Sequence, residues 1–190
     1  DTYKVSKIEG YPLSWDKRDL EYALESWVTH EYGEWFDVGK WKCRLHRAGH
    51  MPGACMIEIV TPTHRILWSG DLDTRDSPNT YGAKPIECDI LCLEATYGGK
   101  NHPDRKEEES RFVASVKKIV KRGGVALVPA FASGRGQDIL RILHREAPEL
   151  NVHYDGMGTR LTRKWFDNPQ HVNHIHLLMF RLPLNGNKSH

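Results

Sequence analysis

Three short stretches decide how this chain is read: Ala48-Gly49-His50-Met51-Pro52-Gly53, Leu67-Trp68-Ser69-Gly70-Asp71-Leu72-Asp73 and Leu91-Cys92-Leu93-Glu94-Ala95-Thr96-Tyr97-Gly98-Gly99. In each, a polar side chain follows an apolar run or sits among glycines. Such residues stand at the mouth of a sheet, where a rigid strand end presents a ligand or a base.

The surrounding sequence supplies the strands. Trp41, Cys43 and Leu45 alternate with Lys42, Arg44 and His46, the period of a sheet with one wet face. Ala54 to Val60 and His64 to Trp68 read as two more strands, joined through a turn at Thr61-Pro62-Thr63. Asp71 to Ala83, with Pro78, Asn79 and Gly82, reads as a loop, and the mostly apolar Ile86 to Leu93 as a central strand. Before the sheet, Leu20, Ala23, Leu24, Trp27 and Val28 recur on one face of a predicted helix from Asp16 to Thr29, capped by Asp16. Glu31 to Glu34 reads as a connector.

After Gly99 the pattern changes to alternating helices and short strands. Asp104 and Glu107 form a capping box for a helix with a stripe of Phe112, Val113, Val116, Ile119 and Val120, ended by Gly123-Gly124. Val125 to Val128 is a predicted strand and Asp138 to Glu146 a predicted helix, stopped by Pro148. Val152 to Tyr154 is a further strand, with a short helix after Gly158. This order predicts a parallel α/β layer.

Composition sets outer limits. The chain has 190 residues, 39% of them hydrophobic and 27% charged, with a formal net charge of +2. That supports a real core, argues against disorder, and leaves nucleic-acid binding to a local patch. Cys43, Cys55, Cys88 and Cys92 form no Cys-x-x-Cys pair; Cys88 and Cys92 share one face of the predicted strand and read as small buried hydrophobes rather than a zinc knuckle, and nothing marks an oxidising compartment that would favour a disulfide. With no signal peptide and no long apolar run, a soluble cytoplasmic protein is the expectation, and Asp1 in place of an initiator methionine suggests a chain that starts inside a larger one.

Each candidate residue has a functional and an ordinary reading. His50, flanked by Gly49 and Gly53 and stiffened by Pro52, can present a ring nitrogen to a metal, or be a surface histidine. Asp71, after Gly70, can bridge two cations, or be a turn aspartate, and Asp73 could serve in its place. Glu94, at the end of an apolar run, can orient a ligating histidine, handle a proton, or cap. Ser133-Gly134-Arg135-Gly136, at a strand-to-helix junction, offers backbone N–H groups and a guanidinium to an anion, or is a plain turn. His174-Ile175-His176 puts two rings on one strand face without the further ligands that zinc needs.

Taken together the segments resemble the metallo-β-lactamase superfamily in its β-CASP branch, similar to the archaeal cleavage and polyadenylation specificity factor-like ribonucleases. Ala48-Gly49-His50 with Pro52-Gly53-Ala54 is similar to that family's third motif, and Ser69-Gly70-Asp71 to its fourth. Glu94-Ala95-Thr96-Tyr97-Gly98 resembles the acidic motif that opens the β-CASP insertion, and Pro129 to Gln137 a phrase within it. The four fall in the family's order over about 90 residues.

The resemblance implies an α/β fold: residues 1–98 as part of an αββα sandwich and residues 99–190 as part of a β-CASP parallel α/β domain. It implies a zinc-dependent RNA phosphodiester hydrolase with two zinc ions, of which His50 binds one and Asp71 bridges both. Glu94 would be the carboxylate behind the ligands or a proton carrier, and His102, Ser133 and Arg135 would touch RNA. A homodimer is within the family's habits. The family's His-x-His-x-Asp-His signature does not occur in these residues, so the chain reads as a partial copy. The competing expectation is a non-catalytic RNA-binding or interaction module.

Overall fold

The computed structural model describes residues 8–10, 12–13 and 15–167. His174 and His176 lie outside these residues. The chain divides into two units at Glu31 and Tyr32. In the first, helix α1 runs from Lys17 to Glu25. Asp16 caps it by accepting from the Arg18 and Asp19 amides, while the Asp19 carboxylate accepts from the Asp16 amide. The helix is shorter than the predicted Asp16 to Thr29, stopping at the Ser26 cap, and its apolar side chains Leu20 and Leu24 are exposed.

The second unit is built on one five-stranded sheet, in the order β1 (Trp35–Val38), β2 (Trp41–Arg47), β3 (Cys55–Val60), β4 (Arg65–Trp68) and β5 (Ile90–Cys92). The first three pairings are antiparallel and β4 with β5 is parallel. The β3–β4 turn is the expected one: Thr61 and His64 close it through backbone bonds, and Thr61 Oγ1 accepts from the His64 amide at 3.0 Å. β1 occupies residues beyond the predicted connector, where Trp35-Phe36-Asp37-Val38 is too short a run to show a period. The predicted central strand at Ile86 to Leu93 is corrected. Only Ile90–Cys92 pairs, it lies at the end of the strand order, and Leu91 and Leu93 are exposed.

Register decides which side chains share a face. Arg44 stands opposite Glu58, and His46 opposite Met56. Met56 and Leu67 on that face join Ala48 and Ala83 in a buried cluster, with Ala54, Leu72, Ile86 and Cys88 packed around it. Glu58 belongs to the same face and is fully buried. Its Oε2 accepts from Arg44 at 2.8 Å and meets His46 Nε2 at 2.7 Å, while Oε1 has only Arg65 Nε at 3.4 Å and no hydrogen bond. Burial pushes this carboxyl up, but the His46 and Arg44 hydrogen bonds and charges outweigh it and hold the pKa below the ordinary glutamate value.

A glutamate whose folded pKa is depressed stabilises the fold above its unfolded pKa and loses that contribution as pH falls through the folded value. We therefore expect Glu58→Gln to cost about 3 kcal/mol near neutral pH, the loss incurred when one partner of a buried pair is removed. The difference from the parent should shrink in acid. Urea unfolding of both proteins at neutral and acidic pH measures it, and a pH-independent difference would refute the ionised pair.

Beyond the sheet, helix α2 spans Arg105–Lys121, α3 Arg135–Glu146 and α4 Met157–Asp167. Asp104 caps α2 by accepting from the Glu107 amide, and Gly123 ends it at φ +80°. Val113 and Val116 of α2 pack on Ile142, Leu143 and Ala147 from α3 and its cap, with Ala126 and Val152 against them. The strands expected at Val125 to Val128 and Val152 to Tyr154 do not form. A strand exists only through a neighbour's ladder, and among the described residues neither segment has one. Val125 and Leu127 are accordingly exposed. The fold of the described residues is thus mixed α/β, with its one parallel pair at β4–β5.

Candidate active site

β2, β4 and β5 run in the same direction, because two antiparallel steps separate β2 from β4 and one parallel step links β4 to β5. Their C-terminal ends therefore share one edge of the sheet, and each is followed by one of the three stretches that carry His50, Asp71 and Glu94.

Backbone bonds fasten these corners together. The Asp73 amide donates to the Ala48 carbonyl at 2.9 Å, and the Ala83 amide to the Asp73 carbonyl at 2.8 Å. Gly49 pairs with Leu72 in an isolated antiparallel bridge. Gly49 sits at φ +75° with no room for a side chain: a Cβ would lie 2.8 Å from the Ala83 nitrogen, 2.9 Å from the Gly82 Cα, and closer still to the Asp73 oxygen. The buried Ser69 joins the other two corners. Its amide donates to the Cys92 carbonyl at 2.9 Å, and its Oγ accepts from the Glu94 amide at 3.0 Å.

Glu94 closes the arrangement. Its Oε1 accepts from the Leu72 amide at 3.3 Å and its Oε2 from the Thr96 amide at 2.9 Å. The Thr96 backbone hydrogen bond is the leading cause that holds the Glu94 carboxyl below the ordinary value. The Thr96 side chain, the Leu72 amide and the nearby His50 ring act in the same direction. The carboxylate is therefore ionised at neutral pH and anchors the peptide that follows Asp71.

Asp71 and Asp73 differ in what they can still bind. Asp73 is engaged by Arg75, with Nε to Oδ1 at 3.1 Å and Nη2 to Oδ2 at 3.0 Å. The Asp71 side chain is exposed and, among the described residues, has no hydrogen bond or ion pair. Of the two, Asp71 is the carboxylate left available to a ligand. His50 is likewise exposed at the same edge, with no hydrogen bond from its ring among the described residues.

The Ser133-Gly134-Arg135 turn comes to the His50 corner. Ser133 Oγ lies 3.5 Å from Met51 Sδ, and a Cβ on Gly134 would meet the Met51 Cβ at 3.3 Å. Arg135 is the exposed first residue of α3, a helix that starts three residues before the predicted Asp138. His102 packs against Tyr97, ring centroids 4.6 Å apart, and no contact ties it to His50, Asp71 or Glu94.

An imidazole and a carboxylate suit zinc chemically. They are too few here. No group of three His, Cys, Asp or Glu side chains among the described residues could hold a metal ion. A catalytic zinc takes three protein ligands, so His50 and Asp71 by themselves do not make a complete centre. The four cysteines are free thiols and add no ligand set.

A buried polar group that no sequence motif marks lies between the Asp71 loop and α3. Asn79 Nδ2 donates to Asp138 Oδ1, Arg141 Nη1 donates to Asn79 Oδ1 at 3.1 Å, and Arg105 Nη2 donates to Asp138 Oδ2 at 3.3 Å. Asn79 and Asp138 are buried. Burial, the leading cause, raises the Asp138 carboxyl against the charges of Arg105 and Arg135. Nothing in Ser77-Pro78-Asn79-Thr80 distinguishes these residues from an ordinary turn.

No family model matches the chain. It is 34% identical over 168 residues to the probable RNase MJ4 of Methanocaldococcus jannaschii, covering 86% of this chain and 39% of that protein. It is 30% identical over 178 residues to the RNase aCSPSF2 of Saccharolobus solfataricus, covering 90% and 36%. It is 37% identical over 146 residues to the cleavage and polyadenylation specificity factor subunit 3 of Dictyostelium discoideum, covering 75% and 19%. The chain thus spans less than two fifths of the length of these relatives. With these matches and its four motifs in order, the chain belongs to the β-CASP branch of the metallo-β-lactamase superfamily, alongside the cleavage and polyadenylation specificity factor-like ribonucleases.

Proposed function

We propose that this chain is part of a zinc-dependent RNA phosphodiester hydrolase acting in RNA processing. The observation that carries the reading is the convergence at one sheet edge of His50, Asp71 and Glu94, with Glu94 bound and Asp71 unengaged. The names of the relatives, among them RNase aCSPSF2 and the endoribonuclease ysh1 of Schizosaccharomyces pombe, support RNA as the substrate.

In this reading residues 1–98 are part of an αββα sandwich and residues 99–190 part of a β-CASP domain. His50 and Asp71 contribute to a two-zinc centre whose other ligands lie outside the described residues. Bound zinc supplies Lewis acidity and a water acidified toward neutral pH. The chain's own residues do the rest. Glu94 holds the Asp71 corner through the Leu72 amide. Ser133, Arg135 and His102 line the approach of the RNA backbone, with Arg135 as a charged fork for phosphate. A homodimer and a cytoplasmic location belong to the same reading. No helix among the described residues is long and apolar enough to cross a membrane.

The competing reading is a catalytically inactive fragment or paralogue that acts as an RNA-binding or interaction module. One experiment separates them. The full polypeptide is offered single-stranded RNA and a small chromogenic phosphodiester, before and after chelation and zinc return. The hydrolase reading predicts RNA cleavage that is lost on chelation and restored by zinc, with the small ester cleaved far more slowly. RNA binding without cleavage in the zinc-loaded protein would establish the module instead.

A further inference from the structure

We propose that Thr80 and Asn79 are positioning residues, which hold the His50 corner in register with the N-terminal half of α3. The proposal rests on the hydrolase reading for its catalytic consequence, and on geometry alone for the mechanical one.

The connection is continuous. Thr80 Oγ1 lies 2.8 Å from the Gly49 carbonyl oxygen, one peptide before His50. A carbonyl cannot donate, so the single hydroxyl proton of Thr80 goes to Gly49. Ser77 Oγ, 3.0 Å from Thr80 Oγ1, must then donate to Thr80. Ser77 Oγ in turn accepts from the Asn79 and Thr80 amides at 3.1 and 3.0 Å, which fixes the turn. Thr80 is buried, so this bond has no competing water.

Asn79 fixes the other end. Its amide nitrogen faces the Asp138 carboxylate and its amide oxygen faces the Arg141 guanidinium. Only one orientation of the amide satisfies both, since a flip would set donor against donor and acceptor against acceptor. Asp138 is further bound by Arg105, whose Nε pairs with Glu109 at 2.8 Å. The same helix begins at Arg135, and the Ser133 turn before it packs on Met51. Both neighbours of His50 in sequence, Gly49 and Met51, are therefore held by elements tied to α3, one through Thr80 and the other directly.

A network that served only to stabilise the unit would contribute to unfolding and nothing else. A positioning network also sets where His50 stands. In the full polypeptide, Thr80→Val should lower kcat for RNA about 10-fold, the effect typical of losing a group that orients a ligand. KM should stay within about twofold, and Thr80→Ser should restore kcat. The amides of the 48–54 segment should exchange hydrogen about 10-fold faster than in the parent, with the β2–β3 pairing unchanged. Asn79→Ala, which removes the side chain that faces both Asp138 and Arg141, should loosen the same segment if Thr80→Val does not fold. Parental exchange in the 48–54 segment of both variants, or a loss in Thr80→Val that Thr80→Ser shares, overturns the proposal. A parent that cleaves no RNA refutes the hydrolase reading instead, and the exchange comparison then decides the positioning role by itself.

Discussion

Gly49→Ala is expected to destabilise the sheet unit by about 3 kcal/mol or more. Two costs combine. A side chain at φ +75° incurs about 1–2 kcal/mol of backbone strain. Forcing an atom into a closed site adds about 1–3 kcal/mol more. The site here is closed by backbone, not by a side chain that can swing away: Asp73, Gly82 and Ala83 all crowd the new Cβ. The corner cannot shift to relieve it without breaking the Asp73–Ala48 and Ala83–Asp73 bonds. Gly39→Ala is the matched comparison, since Gly39 also has positive φ, +60°, but nothing within 4 Å. It should cost only the strain, about 1–2 kcal/mol. Urea unfolding of both variants checks the difference, and equal losses would show that the 48–53 corner is not packed as described.

The same corner shows what could be read from residues alone. Glycines around a histidine, after an alternating strand, announced a tight turn at a sheet end, and a turn is a local property. The Thr61-Pro62-Thr63 hairpin, the Asp104 cap and the Gly123 stop were legible for the same reason. The strands at Val125 to Val128 and Val152 to Tyr154 were not, because strand identity belongs to the pair. An apolar run looks the same whether or not a ladder reaches it. Ile86 to Leu93 misled likewise: its apolar character suggested two covered faces, while the described sheet ends at Ile90–Cys92.

At the site, residue type pointed to His50, Asp71 and Glu94, and strand direction brings their stretches to one edge. The resemblance of Ser69-Gly70-Asp71 already preferred Asp71 to Asp73, and the Arg75 pair that occupies Asp73 supports the same choice. The meeting of Asn79 with Asp138 and Arg141 was illegible. It joins a loop to a helix far along the chain, and each member alone has an ordinary local use.

Under the proposed hydrolase reading, Asp71 would be the carboxylate shared by the two metal ions. Asp71 is exposed and, among the described residues, unpaired, so Asp71→Ala should change folding stability by no more than about 0.5 kcal/mol. The loss should appear in catalysis. Metal stabilisation of the developing charge is worth several kcal/mol, and each 1.36 kcal/mol is about tenfold in rate, so removing the bridge should slow RNA cleavage by about a thousandfold or more. Asp73→Ala, which breaks only the Arg75 pair, should leave far more of the rate. The decisive measurement is the single-turnover cleavage rate of Asp71→Ala in the full, zinc-loaded polypeptide, with its unfolding midpoint measured beside it. A rate reduced about a thousandfold at an unchanged midpoint is the predicted result, and a parental rate would contradict the assignment.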